Sequence, residues 1–118
     1  MATTDDKIIV QTIQIPRHLV NSDVINFAVT VNEMTDLYAK KNHDYGNSFE
    51  KGMDVIGLPY GVGRLYDKMN RIITIMNEEP EISAESIKDT VIDLACYSVM
   101  LYTYLYKKEN YELDKSEC

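Results

Sequence analysis

Apolar residues recur along most of this chain at the three- and four-residue steps of helices. Two stretches break the pattern. Residues Lys7 to Ile15, KIIVQTIQI, are rich in β-branched side chains and stop at Pro16, which predicts a short strand or an extended arm. A lone strand in a helical chain has no partner of its own, so it is expected to cross the helices or pair with another subunit. Ser22 stands as a helix N-cap, with Asp23 in the first turn where a negative charge suits the helix dipole. Val24, Ala28, Val31, Leu37 and Tyr38, with Phe27 and Met34 beside them, predict a first helix running to about Asn42 and ending near Gly46. The second break follows. Gly46, Gly52, Gly57, Pro59, Gly61 and Gly63 predict a loop with room for one short helix around Ser48 to Val55.

A second long helix is expected from near Gly63, burying Leu65, Met69, Ile72 and Met76 and ended by Glu78, Glu79 and Pro80. Ser83 is the expected cap of a third, with Glu85 in its first turn. There Ile87, Val91, Leu94, Ser98, Leu101 and Leu105 alternate by four and three, the spacing of a packing seam. Residues 107–118 form a charged tail expected to fray. With 1–21 as an arm, the chain reads as one all-α domain: a compact bundle of three main helices plus a short loop helix.

The third helix is also apolar on its back, through Ile92, Cys96, Val99, Met100 and Tyr106. A helix apolar all round is buried all round, and 118 residues hardly enclose one on every side. A homo-oligomer is therefore expected, with a dimer as the commonest closed form.

Charge narrows the partners. The formal net charge of −7 argues against an extended nucleic-acid footprint, though a few cations can still hold a free nucleotide. The acidic N-terminus lacks the apolar core of a signal peptide. The longest apolar run, Val91 to Tyr106, is shorter than the ~18 residues of a membrane span and contains Asp93. Two cysteines, one inside that run and one at the last residue, do not make a disulfide framework, so a cytoplasmic setting is expected. Nine Tyr against two Phe and no Trp favour rings that keep a hydroxyl for polar ligands.

The candidate chemistry centres on Asp93. Glu85, Asp89 and Asp93 at i, i+4 steps fall in line along one helix face, with Tyr97 a turn further on. An aspartate deep in an apolar run needs neutralising. Clustered hard oxygens suit Mg²⁺ or Mn²⁺, and a structural salt bridge to Lys68 or Arg71 is an equal alternative. Arg64, Lys68 and Arg71 at i, i+4 and i+7 form a basic stripe suited to phosphate, or a solvated face with an internal Asp67–Arg71 pair. Glu33 and Asp36, one turn apart, have metal-compatible spacing that is also common on exposed faces. Zinc-type Cys/His spacing and a Ser-centred nucleophile motif are absent.

Three ordered blocks carry a resemblance: Lys41-x-x-Asp44-Tyr45-Gly46-Asn47-Ser48-Phe49, Arg64-Leu65-x-x-Lys68-x-x-Arg71-Ile72, and Ser86-Ile87-x-Asp89-Thr90-x-x-Asp93-Leu94-x-x-Tyr97. They resemble the first of the nucleotide modification associated domain families, short proteins mostly of phages and prophages, over roughly Leu37 to Leu105. That resemblance implies work on nucleotides in a phage setting. The organisation is also similar, more distantly, to the all-α nucleoside triphosphate pyrophosphohydrolases of the MazG and dimeric dUTPase group. Those hold Mg²⁺ through E-x-x-E and E-x-x-D pairs. This chain departs from them, with Glu33-x-x-Asp36, Asp89-x-x-x-Asp93 and Thr90 at the acidic position.

As an enzyme, the resemblance implies Asp89 and Asp93 as catalytic metal ligands, Glu33 as a further one, and a metal-bound water as attacker. As a binding protein, it implies a pocket that sequesters nucleotide signals of host anti-phage defence. In either case Lys41, Arg64, Lys68 and Arg71 face phosphate, Tyr45 and Tyr97 face the ligand, and Asp44 fixes the turn or a metal. A third possibility is an oligomeric structural protein whose charges are all internal pairs.

Overall fold

The structure, a computed structural model, describes residues 6–10, 12–45, 47–77 and 80–116, and the side chains of all of these except 44, 45, 80–85 and 111–116. Among the described residues it is an all-α bundle without strands. A single 3-10 turn at Arg17–Leu19 precedes four helices: α1, Ser22–Tyr45; α2, Ser48–Ile56; α3, Leu58–Ile75; and α4, Pro80–Ser116. No helix among these residues is long and apolar enough to cross a membrane. The chain divides into two units of internal contact, one up to Asn32 and one from Glu33.

In the first unit, residues 7–10 and 12–15 take neither helix nor strand, so the strand alternative for this segment is not taken up. The N-cap of α1 is Asn21, one residue before the expected Ser22. Its Oδ1 accepts from the Val24 N–H at 2.9 Å, and its carbonyl accepts from the Ile25 N–H at 3.1 Å. Val24, Ala28 and Val31 are half-buried as the stripe predicts, while Phe27 is exposed.

In the second unit, α1 ends at Tyr45, and the expected stop at Gly46 lies outside the described residues. Asn47 adopts the left-handed conformation (φ 62°, ψ 38°), and its side-chain amide donates to Glu50 Oε2 at 2.8 Å. Helix α2 matches the expected short helix to within a residue and buries Phe49 and Met53. Gly57, at φ 91°, makes the corner into α3 in a conformation that only glycine adopts without strain.

Helix α3 begins at Leu58, five residues before the expected start near Gly63. Pro59 fits a first helical turn, where its missing N–H costs nothing. Gly61 is a packing contact rather than a loop residue: a Cβ there would lie 2.8 Å from Leu101 Cδ1 and 2.9 Å from Met53 Sδ. Residue 61 thus lies beside 101, and Lys68 beside Asp93, so α3 and α4 run antiparallel. Helix α4 likewise starts early, at Pro80 rather than behind a cap at Ser83, and the tail expected to fray is helical to Ser116.

Which faces point inward also differs from expectation. On α3, Gly61 and Ile75 are buried and Leu65, Lys68 and Ile72 half-buried, whereas Met69 and Met76 are 48% and 61% exposed. On α4, Thr90 is buried and Asp93, Leu94, Tyr97 and Leu101 half-buried, whereas Val91, Ser98 and Leu105 of the expected seam are exposed. Both inward faces carry polar groups that have partners. Thr90 Oγ1 donates to the Ser86 carbonyl at 2.8 Å, and Lys68 pairs with Asp93. Tyr104, on the same side of α4, donates its hydroxyl to Asp54 Oδ1 of α2 at 2.7 Å. That bond to a carboxylate raises the pKa of the phenol.

Candidate functional site

Asp93 lies on the inward face of α4, where it meets lysines from two other helices. Lys41 Nζ, near the end of α1, donates to its Oδ1 at 3.2 Å. Lys68 Nζ, from α3, donates to its Oδ2 at 3.4 Å. The structure thus realises the expected Lys68 pairing of Asp93, with Lys41 in place of Arg71. Asp93 remains 29% exposed. The pairs are therefore wet enough for each to add little to stability and to be exchanged for a better partner.

The three side chains stand on the wall of an open cavity of ≈ 440 Å³. Arg64 completes its charge. Three cations against one carboxylate leave the lining at +2 on a chain of net charge −7. The rest of the lining is largely aromatic. Phe49, buried on α2, packs at 5.8 Å from the Tyr60 ring and 6.0 Å from the Tyr97 ring, and Tyr38 of α1 stands on the rim. Two of the cations lie over these rings, with the Arg64 guanidinium 5.2 Å from the Tyr60 centroid and Lys68 Nζ 5.8 Å from that of Tyr97. Such contacts hold a charged head in place; Lys68 also pairs with Asp93, and the Arg64 guanidinium lies 4.0 Å from Asp67 Oδ2.

The cavity gathers five of the residues singled out from the sequence: Lys41, Arg64, Lys68, Asp93 and Tyr97. Glu33, Asp89 and Arg71 are exposed and do not line it, and the side chains of Asp44 and Tyr45 lie outside the described residues. Asp36 is paired with Lys40 at 2.9 Å on the surface. Phe49 and Tyr60 complete the aromatic wall. Phe49 sits in the first of the three blocks, whereas Tyr60 lies in a stretch read as loop, where nothing in the local pattern marks it.

These positions decide the fit of a Mg²⁺ ion. Among the described residues no three His, Cys, Asp or Glu side chains stand close enough to share a metal. Asp93, the one carboxylate lining the cavity among the described residues, already faces two ammonium groups. Mg²⁺ demands near-octahedral oxygen ligation, usually with one or two free carboxylates. The described donor set does not fit it, and no step through a metal follows from this geometry.

Cys96, three residues along α4 from Asp93, also lines the cavity. Partial burial pushes its thiol pKa up, and the Asp93 carboxylate pushes it further; Lys41 pulls it back only in part. The raised pKa means less thiolate at neutral pH. Alkylation of Cys96 by iodoacetamide, followed by peptide mass spectrometry, is expected to show a pH midpoint above the ~8.5 of an ordinary thiol. A midpoint at that value would show an ordinary thiol, and one below it an activated cysteine.

The model of one protein family, described as nucleotide modification associated domain 1, matches residues 41–105. The matched segment contains every charged side chain of the cavity and all of its lining except Leu37 and Tyr38. No curated protein and no solved structure matches the chain.

Proposed function

The chain belongs to the nucleotide modification associated domain 1 family, and from that membership we propose that the cavity binds a phosphorylated nucleotide. The convergence of Lys41 and Lys68 on Asp93 carries the reading. Two ammonium groups aimed at one partly exposed carboxylate describe an anion site whose internal carboxylate holds the lysines together until a phosphate displaces it. Arg64, stacked on Tyr60 at the same wall, adds a planar fork suited to phosphate oxygens. The rings of Tyr38, Phe49, Tyr60 and Tyr97 offer flat apolar surface for a base. A volume of ≈ 440 Å³ lies within the range of small-molecule sites, ~300–1,000 Å³.

The same geometry favours holding the ligand over cutting it. Catalysed attack by water needs a base or a metal to generate the nucleophile. Among the described residues, the acid that lines the cavity, Asp93, is engaged by two lysines. A retained ligand suits a protein that sequesters nucleotides, in the setting that the three sequence blocks suggested.

The test is equilibrium binding by calorimetry against ribo- and deoxynucleoside mono- and triphosphates and cyclic dinucleotides, with and without Mg²⁺. The ligand is recovered and checked by chromatography. At least one phosphorylated nucleotide is expected to bind without Mg²⁺ and to return intact, while its nucleoside binds far more weakly. Nucleoside binding as tight as nucleotide binding would remove the phosphate site, and quantitative turnover would replace holding with hydrolysis.

A further inference from the structure

Helix α3 carries two apolar seams rather than one. The inward seam is Gly61, Leu65, Lys68, Ile72 and Ile75, and one residue further on runs Val62, Tyr66, Met69, Ile73 and Met76. Helix α4 repeats the arrangement. Behind the inward Thr90, Leu94, Tyr97, Leu101 and Tyr104 come Val91, Ala95, Ser98, Tyr102 and Leu105. All four sets step by four and three, the spacing of helices packed side by side.

The second seams point to the same side of the molecule. A shift of one residue turns a helix face by about 100°. In two antiparallel right-handed helices that face each other, that turn is clockwise in one and anticlockwise in the other when both are viewed from one end. Both second seams therefore swing to one side of the α3–α4 pair and form a single two-helix face.

That face is apolar and, among the described residues, has no cover. Its large side chains are between 45% and 71% exposed, and Tyr102 stacks on Tyr106 in open solvent, with ring centroids 6.3 Å apart. Of its three hydroxyls, that of Ser98 donates to the Leu94 carbonyl at 2.9 Å and those of Tyr66 and Tyr102 sit on exposed rings, and no charge interrupts either seam. Burying these eight large side chains at ~80–100 Å² each would remove roughly 650–800 Å² per protomer. A stable interface of standard size takes ~800 Å² from each partner.

We propose that this face binds a second copy of the chain, so that two α3–α4 pairs close into a four-helix bundle about a two-fold axis. An uncharged strip of four-three seams complements itself. It gives a partner of different chemistry no charge to recognise. The nucleotide cavity lies on the opposite side of α4, through Asp93, Cys96, Tyr97 and Met100, so the interface leaves it open.

Sedimentation velocity on the full chain tests the proposal. The wild type is expected to sediment at twice the mass of one chain, and Tyr102→Lys and Met69→Lys each at the mass of one, with unchanged helical circular dichroism. Val55→Lys, at a fully exposed position of α2, and deletion of residues 1–16 are both expected to keep the dimer. A wild type of single-chain mass, or a multimer that both lysine variants leave intact, would overturn the proposal. So would loss of the dimer on removing residues 1–16, which would assign the face to the N-terminal segment. Should Tyr102→Lys lose its helix content, co-expression with Tyr102→Glu decides: recovery of a helical dimer supports the face, and failure to recover counts against it.

Discussion

Lys41→Met and Lys68→Met together weaken nucleotide binding by about a hundredfold or more and leave the helix content of the protein unchanged. A hydrogen bond to a charged group is worth about 1.5–3 kcal/mol, so two lysine–phosphate contacts amount to roughly 3–6 kcal/mol before coupling between neighbours is allowed for. Exposure of Lys41 places its share at the lower end. At ~1.4 kcal/mol for each tenfold, the lower bound is already about a hundredfold. The unliganded fold loses the half-exposed Lys41 pair at little cost, about 0–1 kcal/mol. Removing Lys68 as well leaves the part-buried Asp93 without these two cations and lowers stability further. Methionine keeps much of each lysine stem against the cavity wall, so the loss reports charge rather than packing.

Asp93→Asn is expected to act in the opposite direction. The carboxylate competes with phosphate for the same two ammonium groups and repels it at close range. At a partly wet site, neutralising it is worth about 1 kcal/mol, or roughly fivefold tighter binding. A metal-holding or catalytic aspartate would behave in reverse. The sign of this single change therefore separates the two readings.

Gly52→Ala lowers stability and nucleotide affinity together, whereas Gly63→Ala raises stability and leaves affinity alone. Both glycines lie inside helices, where alanine is favoured by roughly 0.5–1 kcal/mol. Their surroundings reverse the outcome at one of them. A Cβ on Gly52 would run into three ring carbons of Tyr60, all within 2.7 Å, while a Cβ on Gly63 meets nothing within 4 Å. These carbons form the hydroxyl end of a rigid ring, so Tyr60 must swing away as a whole. Overpacking of this kind costs about 1–3 kcal/mol.

The displaced ring is the one that packs, tilted, against Phe49 and supports Arg64 on the cavity wall, so the damage reaches the site. Thermal unfolding is expected to show a fall of several degrees for Gly52→Ala and a rise for Gly63→Ala, with affinity loss confined to the first. Equal affinities in the two variants would detach Tyr60 from the binding wall.

The glycines also show where the sequence misleads. Gly57, Gly61 and Gly63 read as loop because glycine weakens helices, yet only Gly57 needs a positive φ. Gly61 is small so that Leu101 and Met53 can approach the α3 backbone. That reason belongs to tertiary packing, and no local pattern contains it. Helix α2 was legible because Ser48 to Ile56 carries its own amphipathic turn between turn residues.

The misplaced seams have a related cause. Periodicity finds four-three spacing on both helices, but two adjacent seams fit it, and the stripes expected from hydrophobicity straddle them: Leu65, Ile72, Leu94 and Leu101 point inward, while Met69, Met76, Val91, Ser98 and Leu105 are exposed. Val62, Tyr66, Met69, Ile73 and Met76 are more apolar than a set containing Gly61 and Lys68. The polar members point inward because the cavity is inside the α3–α4 contact, where Lys68 meets Asp93.

For the candidate site, the charges were visible at helical spacing and Asp93 stood out in its apolar run. The partnership of Lys41 with Asp93 spans 52 residues of chain. The sequence marked both residues, but the contact between them comes from the fold.

The most direct test of the account is a paired titration of the wild type and Asp93→Asn with the best-binding nucleotide, at one ionic strength and without Mg²⁺. If Asp93 stands in the place of the phosphate, the variant binds several-fold tighter than the wild type. Loss of binding in Asp93→Asn would contradict the account and make the carboxylate part of what holds the ligand.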